Sequence, residues 1–226
     1  MKVILKASSV VFALLLLFTG VTEAQGAAVN TSKSRVTYTL DDSSGVRYAI
    51  YFIPTNEKKS IGSCNSKYSW SSCWAGVNQG DTIYHGDYKI YQRKAGSKTV
   101  KYTGYQKKDF TYNATRKMVY SVPSKYKGQP DLFITAETMS SNFEDGRIYY
   151  MFKGKLKKAD LFAYTYRPQN VGKHSFRTAG YNNGDGKWYI RDYKLSVING
   201  KLRETKLFVK RYDMDKFRKS WRKDWK

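Results

Sequence analysis

The chain has 226 residues, with 41 Lys and Arg against 18 Asp and Glu, a net charge of +23. A surface of that sign holds polyanions and repels cations, which excludes a basic partner held by charge. Two cysteines with no histidine beside them also argue against a zinc site.

Residues 1–24 read as a cleavable secretory peptide. Lys2 and Lys6 form the positive end, residues 10–18 the apolar run, and Thr22 and Ala24 the small residues before the cleavage point. The run is shorter than the ~20 apolar residues that a spanning helix needs. Removing the peptide takes away Lys2, Lys6 and Glu23 and lowers the net charge by a single unit. The chain is therefore expected to be secreted, extracellular or held at the cell envelope. Residues 25–34 are small and polar and are expected to be a disordered lead-in.

From residue 35 the pattern is short alternating runs of β-branched and aromatic residues, broken by Gly, Asn, Asp and Pro. Val36, Tyr38 and Leu40 alternate, a turn follows at 41–45, and Val46, Tyr48, Ile50 and Phe52 alternate again, which predicts a hairpin with one buried face. Cys64 and Cys73 follow, spaced for a disulfide in an oxidising compartment. Closing so short a loop stabilises by about 2–3 kcal/mol through the unfolded state. Further strands are predicted at 82–93, 98–105, 109–122, 131–138, 147–153 and 159–166. A last hairpin is predicted from 188–198 and 202–212, with Asn199-Gly200 as a type I′ turn. The fold class is all-β, a mostly antiparallel sandwich or barrel of roughly ten strands over 35–212. In 213–226, Met214, Phe217, Trp221 and Trp225 recur at spacings of three and four, which predicts a short amphipathic C-terminal helix.

Three groups of residues carry candidate chemistry. Tyr102, Tyr105 and Tyr112 stand among Lys107, Lys108, Arg116 and Lys117, and Lys155, Lys157 and Lys158 form a second basic run. Rings beside cations stack on sugars or bases while the cations hold phosphates or other anions. The second group is the C-terminal helix, where Arg218 and Arg222 lie opposite Trp221 and Trp225 in the manner of an interfacial membrane helix. The third is His85 and His174, an acid–base pair by residue type alone; Asp87, two positions from His85 on a strand, is the expected ion-pair partner.

The leading expectation is a non-catalytic protein that binds an anionic polymer: a cell-envelope polymer, a glycan or nucleic acid. The alternatives are a membrane-active toxin or antimicrobial factor working on anionic membrane through its C-terminal helix, and a small secreted hydrolase such as a nuclease. No Gly-x-Ser-x-Gly elbow, His-Glu-x-x-His motif or phosphate-cradling loop is present, and no cofactor or metal is expected. Asn183-Gly-Asp-Gly186 reads as a turn, and Asn30 and Asn113 head glycosylation sequons.

Overall fold

Alternation of β-branched and aromatic residues with polar ones yields antiparallel strands throughout. The computed structural model describes residues 29–74, 76–211, 213, 216, 217 and 219. Within them lie thirteen strands: β1 (Val36–Asp41), β2 (Arg47–Pro54), β3 (Lys58–Ile61), β4 (Thr82–Lys94), β5 (Lys101–Asn113), β6 (Val119–Val122), β7 (Leu132–Ser140), β8 (Phe143–Phe152), β9 (Lys155–Tyr164), β10 (Tyr166–Gly172), β11 (Ser175–Asn182), β12 (Lys187–Leu195) and β13 (Leu202–Lys210).

They form three open sheets, and none closes into a barrel, which corrects that half of the expectation. In the first sheet β4 is long enough to pair with β2 and β3 along one edge and with β5 along the other. The second runs β6-β7-β8-β9 and the third β10-β11-β12-β13. One core of buried apolar residues joins all three. Tyr38 of the first sheet meets Phe133 of the second at 6.0 Å between ring centroids, and Phe162 of the second meets Phe176 of the third at 5.7 Å. Within the first sheet Phe52 stacks on Tyr88 at 4.4 Å, and Phe110 abuts both rings edge-on. Ring contacts of this kind add about 0.5–1.5 kcal/mol each beyond the area they bury.

The hairpin expected at 36–52 is present as β1 and β2. Residues 29–34 are tied down rather than loose. Asn30 caps a 3-10 turn at Thr31–Lys33, and the Ser34 hydroxyl accepts from the Phe52 amide at 2.9 Å. The type I′ turn lies at Lys153-Gly154, where Phe152 pairs with Lys155 and both turn residues have positive φ, +48° and +77°. Asn199-Gly200 instead sits inside a six-residue connection, with positive φ only at Gly200. There the Gly200 backbone lies so close to β9 that a Cβ would come within 2.9 Å of the Lys158 carbonyl.

Strands β10 and β11 were not predicted. Their segment is polar and carries Pro168, which the ladder accepts because β10 is an edge strand with a bulge between Tyr166 and Gln169. The disulfide between Cys64 and Cys73 is formed, with Cα atoms 4.4 Å apart. Of the C-terminal segment, the Asp213 carboxylate accepts from the Lys216 amide at 3.0 Å and its carbonyl from the Phe217 amide at 2.9 Å. The rest of the expected helix, and the secretory peptide, lie outside the described residues.

Candidate functional site

Several acidic side chains are taken up by partners within the protein. Glu57 takes Arg35 and the Tyr88 hydroxyl, and burial with that hydrogen bond pushes the tyrosine's pKa far up. Glu137 pairs with Lys107, Glu144 with Arg116, and Asp192 with Arg177. Asp81 is buried against Asn113, and Asp131 accepts backbone amides from Asp41 and Ser124. Because these carboxylates are bound within the fold, the excess of cations is left to the surface.

One groove gathers those cations without a carboxylate. Strand β5 supplies Lys101, Tyr102, Thr103 and Tyr105, and the β8–β9 turn with the start of β9 supplies Gly154, Lys155, Leu156 and Lys157 around about 500 Å3. Two side chains set its width. Gln92 donates to the Gly154 carbonyl at 2.8 Å and accepts from the Leu156 amide at 3.0 Å, and the Tyr105 hydroxyl accepts from the Lys158 amide at 3.3 Å. Lys101, Lys155 and Lys157 are exposed and form no ion pair among the described residues. Tyr102 is 46% exposed and rests on Tyr91, with the Lys89 ammonium 5.8 Å from its ring. The geometry offers the exposed Tyr102 ring, with the half-buried Tyr105 packed on Tyr149 beside it, among lysines on two strands, suited to a chain carrying repeated negative charge.

The structure thus brings together Tyr102, Tyr105, Lys155 and Lys157, with Lys158 next along the same strand, β9. It separates the others. Tyr112 is buried in the shared core at 5% exposure, so it offers no stacking surface, which corrects its inclusion. Lys107 is held by Glu137 and over the Phe110 ring. Arg116 is bound to Glu144, and Lys117 is exposed in the turn before β6 with φ of +51°. Arg218, Trp221, Arg222 and Trp225 lie outside the described residues. Phe217, a member of the same apolar stripe, is buried at 4% exposure, its ring 4.1 Å from Trp188 and 5.8 Å from Tyr166.

His85 and His174 stand on different sheets. The partner of His85 is Asp109, not Asp87: Nε2 lies 2.9 Å from the Asp109 carboxylate and Nδ1 3.0 Å from the Thr111 hydroxyl. Asp87 instead accepts from Asn56 and from the Asp109 amide. His174 sits in the turn between β10 and β11, and desolvation, then Lys173 and Lys194, lower its pKa. The Asn113 sequon is closed, because that side chain is fully buried and donates to Gly76 and Asp81. Asp185 accepts from the Lys187 amide and the Tyr189 hydroxyl, as a turn residue does.

Sequence reasoning missed a second cavity of about 350 Å3 beneath the disulfide loop, lined by Trp70, Trp74, Lys108, Asp109, Thr111 and Glu137 among others. Its signal was present as two tryptophans flanking Cys73, but nothing in the spacing linked them to β5.

No protein-family model, curated protein or solved structure matches this chain.

Proposed function

We propose that this is a secreted protein that binds an anionic polymer through the groove between β5 and the β8–β9 turn, and holds it without chemical change. The observation that carries this reading is the meeting of Lys101, Lys155 and Lys157 with Tyr102 and Tyr105 where no carboxylate lines the wall. Cations without internal partners keep their charge available, and polymer binding then releases the counterions condensed on the polymer. The C-terminal helix over 213–226 belongs to the same proposal as a lid on the third sheet, supported by the burial of Phe217 against Trp188.

The test is a salt series on immobilised heparin, polyphosphate and RNA, comparing the wild type with a Lys101→Ala, Lys155→Ala, Lys157→Ala triple variant. Retention by the wild type is expected to fall steeply between about 50 and about 500 mM salt. The triple variant should lower the slope of log affinity against log salt by roughly 2 to 3, on the order of 0.7–0.9 per lost contact. Salt-independent binding by the wild type would defeat the polyanion reading. An unchanged slope in the variant would move the site elsewhere.

A further inference from the structure

We propose that the cavity beneath the disulfide loop is a second site, and that it binds an uncharged sugar unit. It is built from a rigid aromatic loop on one side and a bulged strand on the other.

The loop presents Trp74 at 74% exposure, with its backbone anchored on both sides. The disulfide ends at the preceding residue, Cys73, and Trp74 bridges to Val77 across a tight turn. Behind it, hydroxyl groups of Ser66, Ser71 and Ser60 form a chain at 2.7 and 3.2 Å. Trp70 stacks on two rings, Tyr68 at 4.9 Å and His85 at 5.0 Å, both nearly parallel to it. An aromatic ring left in water on a fixed frame forgoes burial without the freedom to collapse, as a ligand platform does.

The strand presents Asp109. Residues 108 and 109 together oppose Asp87, a bulge that turns Asp109 out of the ladder with φ of +52°. That backbone is unfavourable for a residue other than glycine, and Asp and Asn are among the few that tolerate it. Its side chain is 88% exposed, with one oxygen on His85, so the carboxylate keeps acceptor capacity for ligand hydroxyls. Glu137 and Thr111 line the same space.

Three occupants fit a tryptophan beside a carboxylate, and the geometry selects among them. An anion is opposed by Asp109 and Glu137, which outnumber Lys108, the one Lys or Arg that lines the cavity. A quaternary ammonium wants several open ring faces around it, but Trp70 is already engaged by Tyr68 and His85, and Trp74 is the most exposed ring of the cavity. A pyranose ring needs one flat surface for its C–H face and acceptors at its hydroxyl rim, and that is what Trp74 and Asp109 supply. The two sites share strand β5, with Tyr102 and Thr111 at most about 30 Å apart at 3.3 Å per residue. Resting on the polyanion reading, a single charged polysaccharide would lie along β5 and engage both.

The test uses neutral probes in high salt, which silences the lysine groove: cellohexaose, maltohexaose and chitohexaose, followed by tryptophan emission and saturation-transfer NMR. The wild type is expected to bind at least one of them at millimolar concentration. Trp74→Ala and Asp109→Asn should each weaken that binding about tenfold or more, with melting unchanged for Trp74→Ala because the ring is exposed. The Lys101, Lys155, Lys157 triple variant should bind these sugars as the wild type does, even where it has lost polyanions. Absence of binding to all three sugars overturns the inference, as does full binding by Trp74→Ala. A response to tetramethylammonium with the sugars inert overturns it in favour of an amine site.

Discussion

Gln92 of the first sheet grips Gly154 of the second, donating to its carbonyl at 2.8 Å while accepting from the Leu156 amide at 3.0 Å. The amide side chain thus satisfies both sides of a turn whose geometry requires positive φ at Lys153 and Gly154. Lys155 and Lys157 belong to the strand that this turn begins, so their distance from Lys101 and Tyr102 is set by this glutamine together with the Tyr105 hydroxyl on the Lys158 amide.

Gln92→Ala should therefore affect binding more than its cost in stability implies. Losing two hydrogen bonds at a partly exposed site costs about 1–2 kcal/mol. Polyanion affinity should fall as well, because the lysines remain but no longer converge. Denaturant melts and heparin elution measured together check this. Equal elution by Gln92→Ala and wild type would show that the groove does not depend on the clamp.

Phe217→Ala should destabilise the third sheet by about 3–5 kcal/mol, the range for removing a buried phenylalanine. The ring stacks on Trp188 and packs beside Tyr166, and those two rings stack on each other at 5.1 Å. Circular dichroism melts give the loss directly. Vesicles of anionic lipid added to the wild type should stay sealed, since part of the apolar stripe is already covered. Leakage by the wild type that Phe217→Ala increases would instead revive membrane action by the C-terminal segment.

Much of the fold was legible because alternation survives wherever one face of a strand is buried: β1, β2 and β4 could be read almost to their ends. Bulges defeat the same rule. Residues 98–105 and 109–122 are expected as two strands, but β5 runs from Lys101 to Asn113 through Gly104 and Asp109, both at positive φ, and a turn at 114–117 divides 109–122 between β5 and β6. Each extra residue flips the face that follows, so Tyr112 points into the core although it seemed to match Tyr102 and Tyr105. The groove was half legible. Its tyrosines and lysines were evident as residue types, but some fifty positions separate Tyr102 from Lys155, and only tertiary packing through Gln92 joins them. The cavity at Trp74 was not legible, because an exposed ring and a buried one look alike in sequence.

Cys64→Ser with Cys73→Ser should cost about 2.5–3 kcal/mol, the entropy of a loop closed over a separation of nine residues. The loss should be local in its consequences. Polyanion binding at the far end of β5 should persist below the melting point, while the Trp74 emission loses its blue-shifted response to sugar. Loss of heparin retention at low temperature would show that the loop supports the whole first sheet.

His174 supplies a pH dependence whose sign follows from its surroundings. Desolvation, then Lys173 and Lys194, lower its pKa below the ordinary value of about 6.5, and its Nδ1 is buried without a hydrogen-bond partner. The folded state therefore takes up a proton less readily than the unfolded chain does. Above about pH 6.5 both states carry a neutral ring and the residue contributes nothing. As pH falls through 6.5 the unfolded chain gains the proton first, so stability falls, and the loss levels off once pH is below the folded pKa. His174 also has φ of +57°, which asparagine tolerates well. His174→Asn should accordingly match or exceed the wild type at neutral pH and exceed it by a growing margin down to pH 5. Urea melts of both proteins at pH 7.5, 6.5, 5.5 and 5.0 measure the difference, which cancels the carboxylates they share. A margin that stays constant across that series would mean that His174 is equally easy to protonate in both states.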